Sequence, residues 1–182
     1  MLPICTIGHS TRSIEEFVEL LRSGQVEHVV DVRTVPRSRT NPQYNLDVLP
    51  DELRPWQVGC GRIAELGGLR GKQASVPDAV NGYWVNRSFH NYADYALSAE
   101  FEHGLEQLLD LAAERRVAIM CAEAVWWRCH RRIIADYLLL NGRKVLHLMG
   151  AGRATPATMT PGAKEWEGRL VYPAAAPTGA VT

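Results

Sequence analysis

The sequence predicts a three-layer α/β fold of the Rossmann-like kind, with a mostly parallel central sheet and helices on both faces. Two kinds of segment alternate along its 182 residues. Short, continuously apolar runs are typical of buried strands, and longer segments carry apolar residues at helical spacing. Because crossovers between parallel strands are right-handed, the intervening helices cover both faces of such a sheet.

The first 36 residues predict a β-α-β unit. Residues 4–7 form a short apolar strand, and Ser13 and Glu16 have the spacing of a capping box at the start of a helix. Gly24 stands where a helix commonly ends. Residues 26–35 are rich in valine, which is typical of a strand buried on both faces, and Pro36 ends that strand.

The later elements follow the same reasoning, although proline and glycine interrupt much of the region before residue 97. A helix is expected to begin near Ser98, because serine is a favoured cap and apolar residues follow at helical spacing. The remaining predictions are strands at 57–63, 117–121 and 144–148, helices at 97–114 and 129–140, a surface excursion at 151–164 and a flexible tail at 174–182. Residues 1–173 are therefore expected to form a single α/β domain.

Composition limits the classes of function. Lys and Arg total 20 and Asp and Glu total 20, so only a local patch could attract nucleic acid. No apolar run approaches the roughly 20 residues that cross a bilayer, and no charged leader precedes the first strand. We therefore expect a cytoplasmic protein without a membrane partner. Four cysteines in a chain of this length suggest reduced thiols rather than a disulfide scaffold.

Two cysteines are candidates for chemistry. Cys121 ends a predicted strand and Cys129 opens a predicted helix, close to several arginines, and both a helix N-terminus and positive charge stabilise a thiolate. The alternative is that they are small buried core residues. Six residues separate Cys121 from Arg128, so the segment does not match a phosphatase loop.

A metal site formed by Cys121, Cys129 and His130 is disfavoured by the sequence. Adjacent residues of a helix point about 100° apart, and the spacing matches no usual zinc pattern. No metal and no cofactor are therefore expected. Phosphate-binding glycine loops and a serine nucleophile elbow are also missing from the sequence.

Other polar and aromatic residues in these motifs are assigned by chemistry. Glu65 and Glu123 are the carboxylates expected to act as general acid or base, beside the two thiols. The groups expected to bind an anion are Arg33, Arg37, Ser38, His130 and Arg131. The residues expected to line the substrate site are His9, Ser10, Tyr92, Trp126 and Trp127. The alternatives are that the arginines pair with neighbouring carboxylates and that the aromatic residues pack in the core.

These motifs occur in an order that resembles a known family. They are residues 6–10, 31–33 with 36–38, 65–68, 121–123, 129–131 and 168–173. Together they resemble the family called domain of unknown function 488, over residues 4 to about 173. The resemblance implies that the polar motifs form one site on an α/β scaffold, and it implies no reaction.

Two interpretations of function remain open. The first is an enzyme of unknown reaction that uses cysteine and carboxylate chemistry on an anionic, nucleotide-like or nucleic-acid substrate. Because open parallel sheets bind ligands outside the carboxyl ends of their strands, the substrate is expected there. The alternative is a non-catalytic module that binds nucleic acid or another partner through the same basic cleft and tryptophans. A thiol with a lowered pKa would distinguish the enzyme from the binding module.

Overall fold

The computed structural model describes residues 2–150 and 153–174, which contain a six-stranded central sheet and a small hairpin. The strands of the sheet are β1 Ile4–Gly8, β2 His28–Asp31, β3 Gly59–Arg62, β4 Val117–Cys121, β5 Val145–Gly150 and β6 Arg153–Pro156. The helices are α1 Ile14–Ser23, α2 Leu49–Leu53, α3 Arg87–Tyr95, α4 Ala99–Glu114 and α5 Arg131–Leu140. The hairpin consists of β7 Lys164–Trp166 and β8 Arg169–Val171.

The sheet is mostly parallel, which confirms the predicted fold class. Its strand order is β3-β2-β4-β1-β5-β6, and every pair among the first five strands is parallel. Only β6 runs antiparallel, against β5. This order is compatible with a Rossmann-like arrangement.

Helices cover both faces because successive strand residues point to opposite sides. Ile7 and Met120 belong to one core, which packs against α1 and α2. Ile4 and Ile119 belong to the other core, which contains buried residues of α3, α4 and α5. The three layers that the sequence predicts are therefore present.

The predicted helix caps are confirmed. Ser13 caps α1: its hydroxyl accepts from the Glu16 N–H at 3.2 Å, and the Glu16 carboxylate accepts from the Ser13 N–H at 2.8 Å. Gly24 ends the same helix. Ser98 caps α4 by accepting from the Phe101 N–H at 3.2 Å. Each cap satisfies N–H groups that lack a partner within the helix.

The described part of the surface excursion predicted at 151–164 is mostly exposed or half-buried, but it includes a strand and one buried residue. Residues 153–156 form β6, and Thr160 is buried, with its N–H donating to the Asp136 carboxylate at 2.9 Å. Residues 151–152 lie outside the described part of the chain. The predicted tail lies outside it from residue 175 onward.

The helix predicted from residue 129 begins two residues later, and this shift changes the geometry of the site. Trp126–Arg128 form one turn of 3₁₀ helix, and Cys129 follows with extended backbone, at φ −130° and ψ 148°. His130 is the residue before the first turn of α5. Cys129 and His130 are thus not consecutive positions on a helix.

The chain connections place a crevice at one end of the sheet. Helix α1 connects β1 to β2 on one face, and α5 connects β4 to β5 on the other face. Because these connections leave the adjacent strands β1 and β4 in opposite directions, a crevice opens outside their carboxyl ends. Polar residues that follow β1, β2 and β4 are therefore brought together there.

Replacing Gly8 by alanine should destabilise the protein. A Cβ at this position would overlap the backbone carbonyl of Glu123, so β1 and the loop after β4 would have to separate. We expect a loss of about 1–3 kcal/mol in the free energy of unfolding. Gly71→Ala is the control, because no atom lies within 4 Å of its added Cβ. Equal stability of the two variants in denaturant titrations would contradict this packing.

Candidate functional site

A cavity of about 320 Å³ lies at this crevice and brings four segments of the chain together. It is lined by residues 33–35 after β2, 68–69 after β3, 88–89 at the start of α3, and 121–123 with 128–130 around the segment between β4 and α5. The segment at 88–89 was not part of the sequence prediction. Both Cys121 and Cys129 line the cavity.

Cys129 is surrounded by groups that stabilise a negative charge. Its side chain is buried, and the Arg131 Nε–H donates to its Sγ at 3.3 Å. The His130 Nδ1 lies 3.5 Å from the same sulfur. Cys121 Sγ, Cys129 Sγ and a ring nitrogen of His130 all lie within 4.8 Å of one another. A thiol, an imidazole and a guanidinium therefore converge on one sulfur atom.

Arg131 carries a buried positive charge without a carboxylate beside it. Its side chain is 1% exposed, and no carboxylate of the described residues lies within 4.0 Å of it. Besides Cys129 Sγ, its guanidinium donates to the backbone carbonyl of Glu123. A buried charge is costly unless it is paired, so the thiolate form of Cys129 is the favourable one. The sequence predicts that Arg131 binds an anion. Because its guanidinium is occupied by Cys129 Sγ and the Glu123 carbonyl, Arg131 is not free to bind a phosphate.

His130 is fixed in a definite tautomer. Its Nε2 lies 3.0 Å from the carbonyl oxygen of Val32, which can only accept, so Nε2 carries a hydrogen. In the neutral ring Nδ1 then holds a lone pair towards Cys129 and can accept the thiol proton. Gly68 makes room for the ring, because a Cβ there would overlap Nδ1. The close approach explains why glycine occupies this position.

The two thiols titrate in opposite directions. The pKa of Cys129 lies well below its usual range, first because the Cys121 thiol is its hydrogen-bond partner, and then, against burial, because of His130 and Arg131. The pKa of Cys121 is raised, first by the same hydrogen bond and then by burial. The two thiols are coupled, and the lowered pKa of Cys129 favours Cys129 as the one that ionises first.

A metal ion could also use this cluster, with one ligand atom each from Cys121, Cys129 and His130. The sequence argument against this set is wrong in its reason, because Cys129 lies before the helix and its Sγ and the His130 Nδ1 do face each other. The Arg131 charge, 3.3 Å from Cys129 Sγ, nevertheless opposes a cation at this place. The Arg131 guanidinium already supplies the positive charge that would stabilise a Cys129 thiolate.

Arg33, which lines the cavity, and His9, which does not, form a polar cluster with internal partners. The Arg33 guanidinium pairs with the buried Asp31 carboxylate at 2.6 Å and also donates to His9 Nε2 at 3.2 Å. His9 stacks on Tyr44 with ring centroids 4.3 Å apart. Burial lowers the pKa of His9 to about 4, and the Arg33 charge acts in the same direction. The charge of Arg33 is therefore neutralised within the protein, and His9 is a neutral residue that positions it.

Several predicted site residues lie outside the cavity lining, and three of them belong to loops around the site. Arg37 is 72% exposed and pairs with Asp47 at 3.2 Å. Ser38 belongs to a turn, in which its N–H donates to Asn45 and its hydroxyl accepts from the Asn41 N–H. Ser10 has a left-handed backbone, with φ 49°, and its N–H donates to the Ala122 carbonyl. These residues shape the loops around the site.

The remaining predicted residues divide between core and surface. Tyr92 was expected to line the site but is buried, with its hydroxyl donating to the Leu66 carbonyl and its ring edge-on to His130 at 5.0 Å. Glu65 does not line the cavity, and its carbonyl accepts from Tyr95. Glu123 does line the cavity and is exposed.

The adjacent tryptophans have different environments. Trp126 is half-buried and stacks on His147, with ring centroids 4.2 Å apart and an interplanar angle of 5°. Trp127 is 45% exposed and meets Trp126 edge-on. Neither lines the cavity. A stacking role for Trp127 therefore remains a prediction about the outer surface.

The mouth of the cavity contains residues that the site prediction did not include. Arg128 is exposed, and its guanidinium forms no ion pair with any residue in the described ranges. Leu69 is 72% exposed, and Phe89 lines the cavity. Nothing in the sequence analysis indicated Leu69 or Phe89.

Comparison with known proteins assigns the chain to a family. The model of Domain of unknown function DUF488 matches residues 13–138, and the chain belongs to this family. The matched region includes the Cys129, His130 and Arg131 cluster. Neither the curated proteins nor the solved structures contain a match to the chain. Within residues 2–150 and 153–174, no helix is long and apolar enough to cross a membrane.

Gly68→Ala should move His130 without unfolding the protein. The added Cβ would displace the ring from Cys129, so the pKa of the Cys129 thiol should rise towards its ordinary value, about 8.5. The rate of alkylation against pH measures this shift. Gly71→Ala, in the same loop, should leave the profile unchanged. An unchanged profile in Gly68→Ala would show that His130 does not influence the thiol.

Proposed function

We propose that this protein is a cysteine-dependent enzyme in which Cys129 is the nucleophile and acts on a small anionic substrate. The observation that carries the proposal is the buried Arg131 guanidinium, whose only acceptor among the described residues, apart from a backbone carbonyl, is Cys129 Sγ. A thiolate is the reactive form of cysteine. A structural cysteine in a core has no need of a buried counter-charge.

The surrounding groups support specific roles in this proposal. His130, anchored to the Val32 carbonyl, accepts the Cys129 proton or holds the thiolate by charge. Cys121 presents a protonated thiol to the same sulfur. Glu123 is the carboxylate on the cavity rim that can exchange protons with solvent. Glu65, which the sequence also suggested, has no place in this mechanism.

The cavity favours a substrate of limited size. Its volume of about 320 Å³ is at the lower end for small-molecule sites. Leu69 and Phe89 offer apolar contact, and Arg128 offers a cation that no carboxylate of the described residues neutralises. A mononucleotide matches this pattern, with its base in the cavity and its phosphate at Arg128. The enclosed thiolate favours this role over a module that only binds nucleic acid.

The thiolate itself is the first prediction of this proposal. The wild type should show the ultraviolet absorbance of one thiolate at neutral pH. The pKa of Cys129 lies well below the usual range of a thiol, so the Cys129 thiol should be ionised there. Acid should remove this absorbance as pH falls through the pKa of the folded protein. Cys129→Ser should abolish it, and Cys60→Ser should not, since burial raises the pKa of Cys60 to about 12.

Two results would contradict the proposal. One is an absorbance that develops only near pH 8.5, the usual value for a thiol. The other is one equivalent of tightly bound metal in the purified protein, whose removal abolishes the neutral-pH absorbance. Either result would mean that Cys129 is not a free thiolate, and a metal-binding or non-catalytic role would replace the proposed one.

Arg128→Ala should weaken the binding of adenosine monophosphate about tenfold, the size of one charge-assisted hydrogen bond. Isothermal titration calorimetry measures the change. Arg37→Ala is the matched control, because Arg37 is equally an exposed arginine but is paired with Asp47 and does not line the cavity. Equal weakening in both variants, or no binding by the wild type, would exclude Arg128 as the phosphate contact.

A further inference from the structure

We propose that Cys121 and Cys129 form a site of reversible oxidation that reacts with hydroperoxides and closes as an intramolecular disulfide. This inference rests on the thiolate of the proposed function. It assigns Cys121 a role that the nucleophile alone does not need. The oxidised pair would also lack the Cys129 nucleophile, so oxidation would stop the proposed enzyme until a dithiol reduces the protein.

The position of the sulfurs supports this role. The two Sγ atoms lie within 4.8 Å of each other, and both thiols line the same cavity. A small oxidant that enters the cavity meets Cys129 as a thiolate and Cys121 as a thiol. Cys121 ends β4 and Cys129 lies in the short segment between the 3₁₀ turn and α5, so the chain brings both thiols to the same end of the sheet.

The stabilised thiolate indicates which class of oxidant reacts. Stabilising the reduced form of a dithiol makes its disulfide more oxidising, and the dithiol itself a weaker reductant. The Arg131 Nε–H and His130 both stabilise that form here. Reduction of an ordinary disulfide by this pair is therefore unfavourable. A hydroperoxide remains a competent oxidant, because cleavage of its O–O bond releases far more free energy.

The chemistry balances with a hydroperoxide as the only co-reactant. The Cys129 thiolate attacks the terminal oxygen of ROOH, so an S–O bond forms and the O–O bond breaks. The leaving alkoxide takes the Cys121 proton and departs as ROH. The new Cys121 thiolate attacks Cys129 Sγ, forms the S–S bond, breaks the S–O bond and expels hydroxide, which carries the charge of the original thiolate into the solvent. The two thiols lose two electrons, and the peroxide gains them.

Cumene hydroperoxide tests this sequence. The reduced full-length protein should produce one equivalent of cumyl alcohol and one Cys121–Cys129 disulfide, identified by peptide mass spectrometry. Cys121→Ala removes the proton donor and the second thiol, so its cumyl alcohol should form about 100-fold more slowly. Its Cys129 should stop at the sulfenic acid, which dimedone traps. Cys60→Ser should behave as the wild type, and oxidised glutathione should not form the disulfide.

The outcomes separate this inference from the proposed function. If the wild type has the neutral-pH thiolate but reacts with cumene hydroperoxide no faster than free cysteine, the inference is wrong and the nucleophile stands. Sulfenic acid in the wild type without a disulfide would likewise exclude Cys121 as the second thiol. If the thiolate is missing, both proposals fail. Dithiothreitol should restore the two thiols of the oxidised wild type, and failure to do so would exclude reversibility.

Discussion

The contact between the buried Arg131 guanidinium and Cys129 Sγ is the interaction on which the site depends. Arg131 is the first residue of α5, and it also donates to the Glu123 carbonyl, so it ties the loop after β4 to the helix that follows. Without a negative partner, this charge would be expensive to bury. The fold therefore supplies a reason for the thiolate that is independent of any reaction.

The other charges around the cavity follow a consistent division. Arg33 is closed by Asp31 and positioned by His9, which burial keeps neutral. The Arg131 guanidinium donates to Cys129 Sγ, its partner in the proposed thiolate pair. Arg128, at the mouth of the cavity, is exposed and forms no ion pair with the described residues. Under the proposed function, a protein with no net charge attracts anions locally rather than globally, through Arg128 beside the proposed nucleophile.

The sequence predicted features that depend on local chemistry or on periodicity. The capping box of Ser13 and Glu16 and the buried valines of β2 are of this kind, although β2 ends at Asp31 and not at Pro36 as predicted. The site depends on where individual side chains point, and residue spacing in the sequence does not show this. Arg131 points inward to a sulfur rather than outward to a ligand, and Tyr92 supports His130 from the core. One 3₁₀ turn before α5 placed Cys129 and His130 face to face, against the helical geometry that was assumed.

A double-mutant cycle between Arg131 and Cys129 tests the central claim most directly. The free energy of unfolding would be measured for the wild type, Arg131→Met, Cys129→Ser and the double variant across pH. If Cys129 is a thiolate, the coupling energy at neutral pH should be about 1.5–3 kcal/mol. It should shrink as pH falls through the pKa of the folded thiol, because the protonated sulfur no longer pairs with the guanidinium. A coupling below about 0.5 kcal/mol that does not change with pH would contradict the thiolate–guanidinium pair.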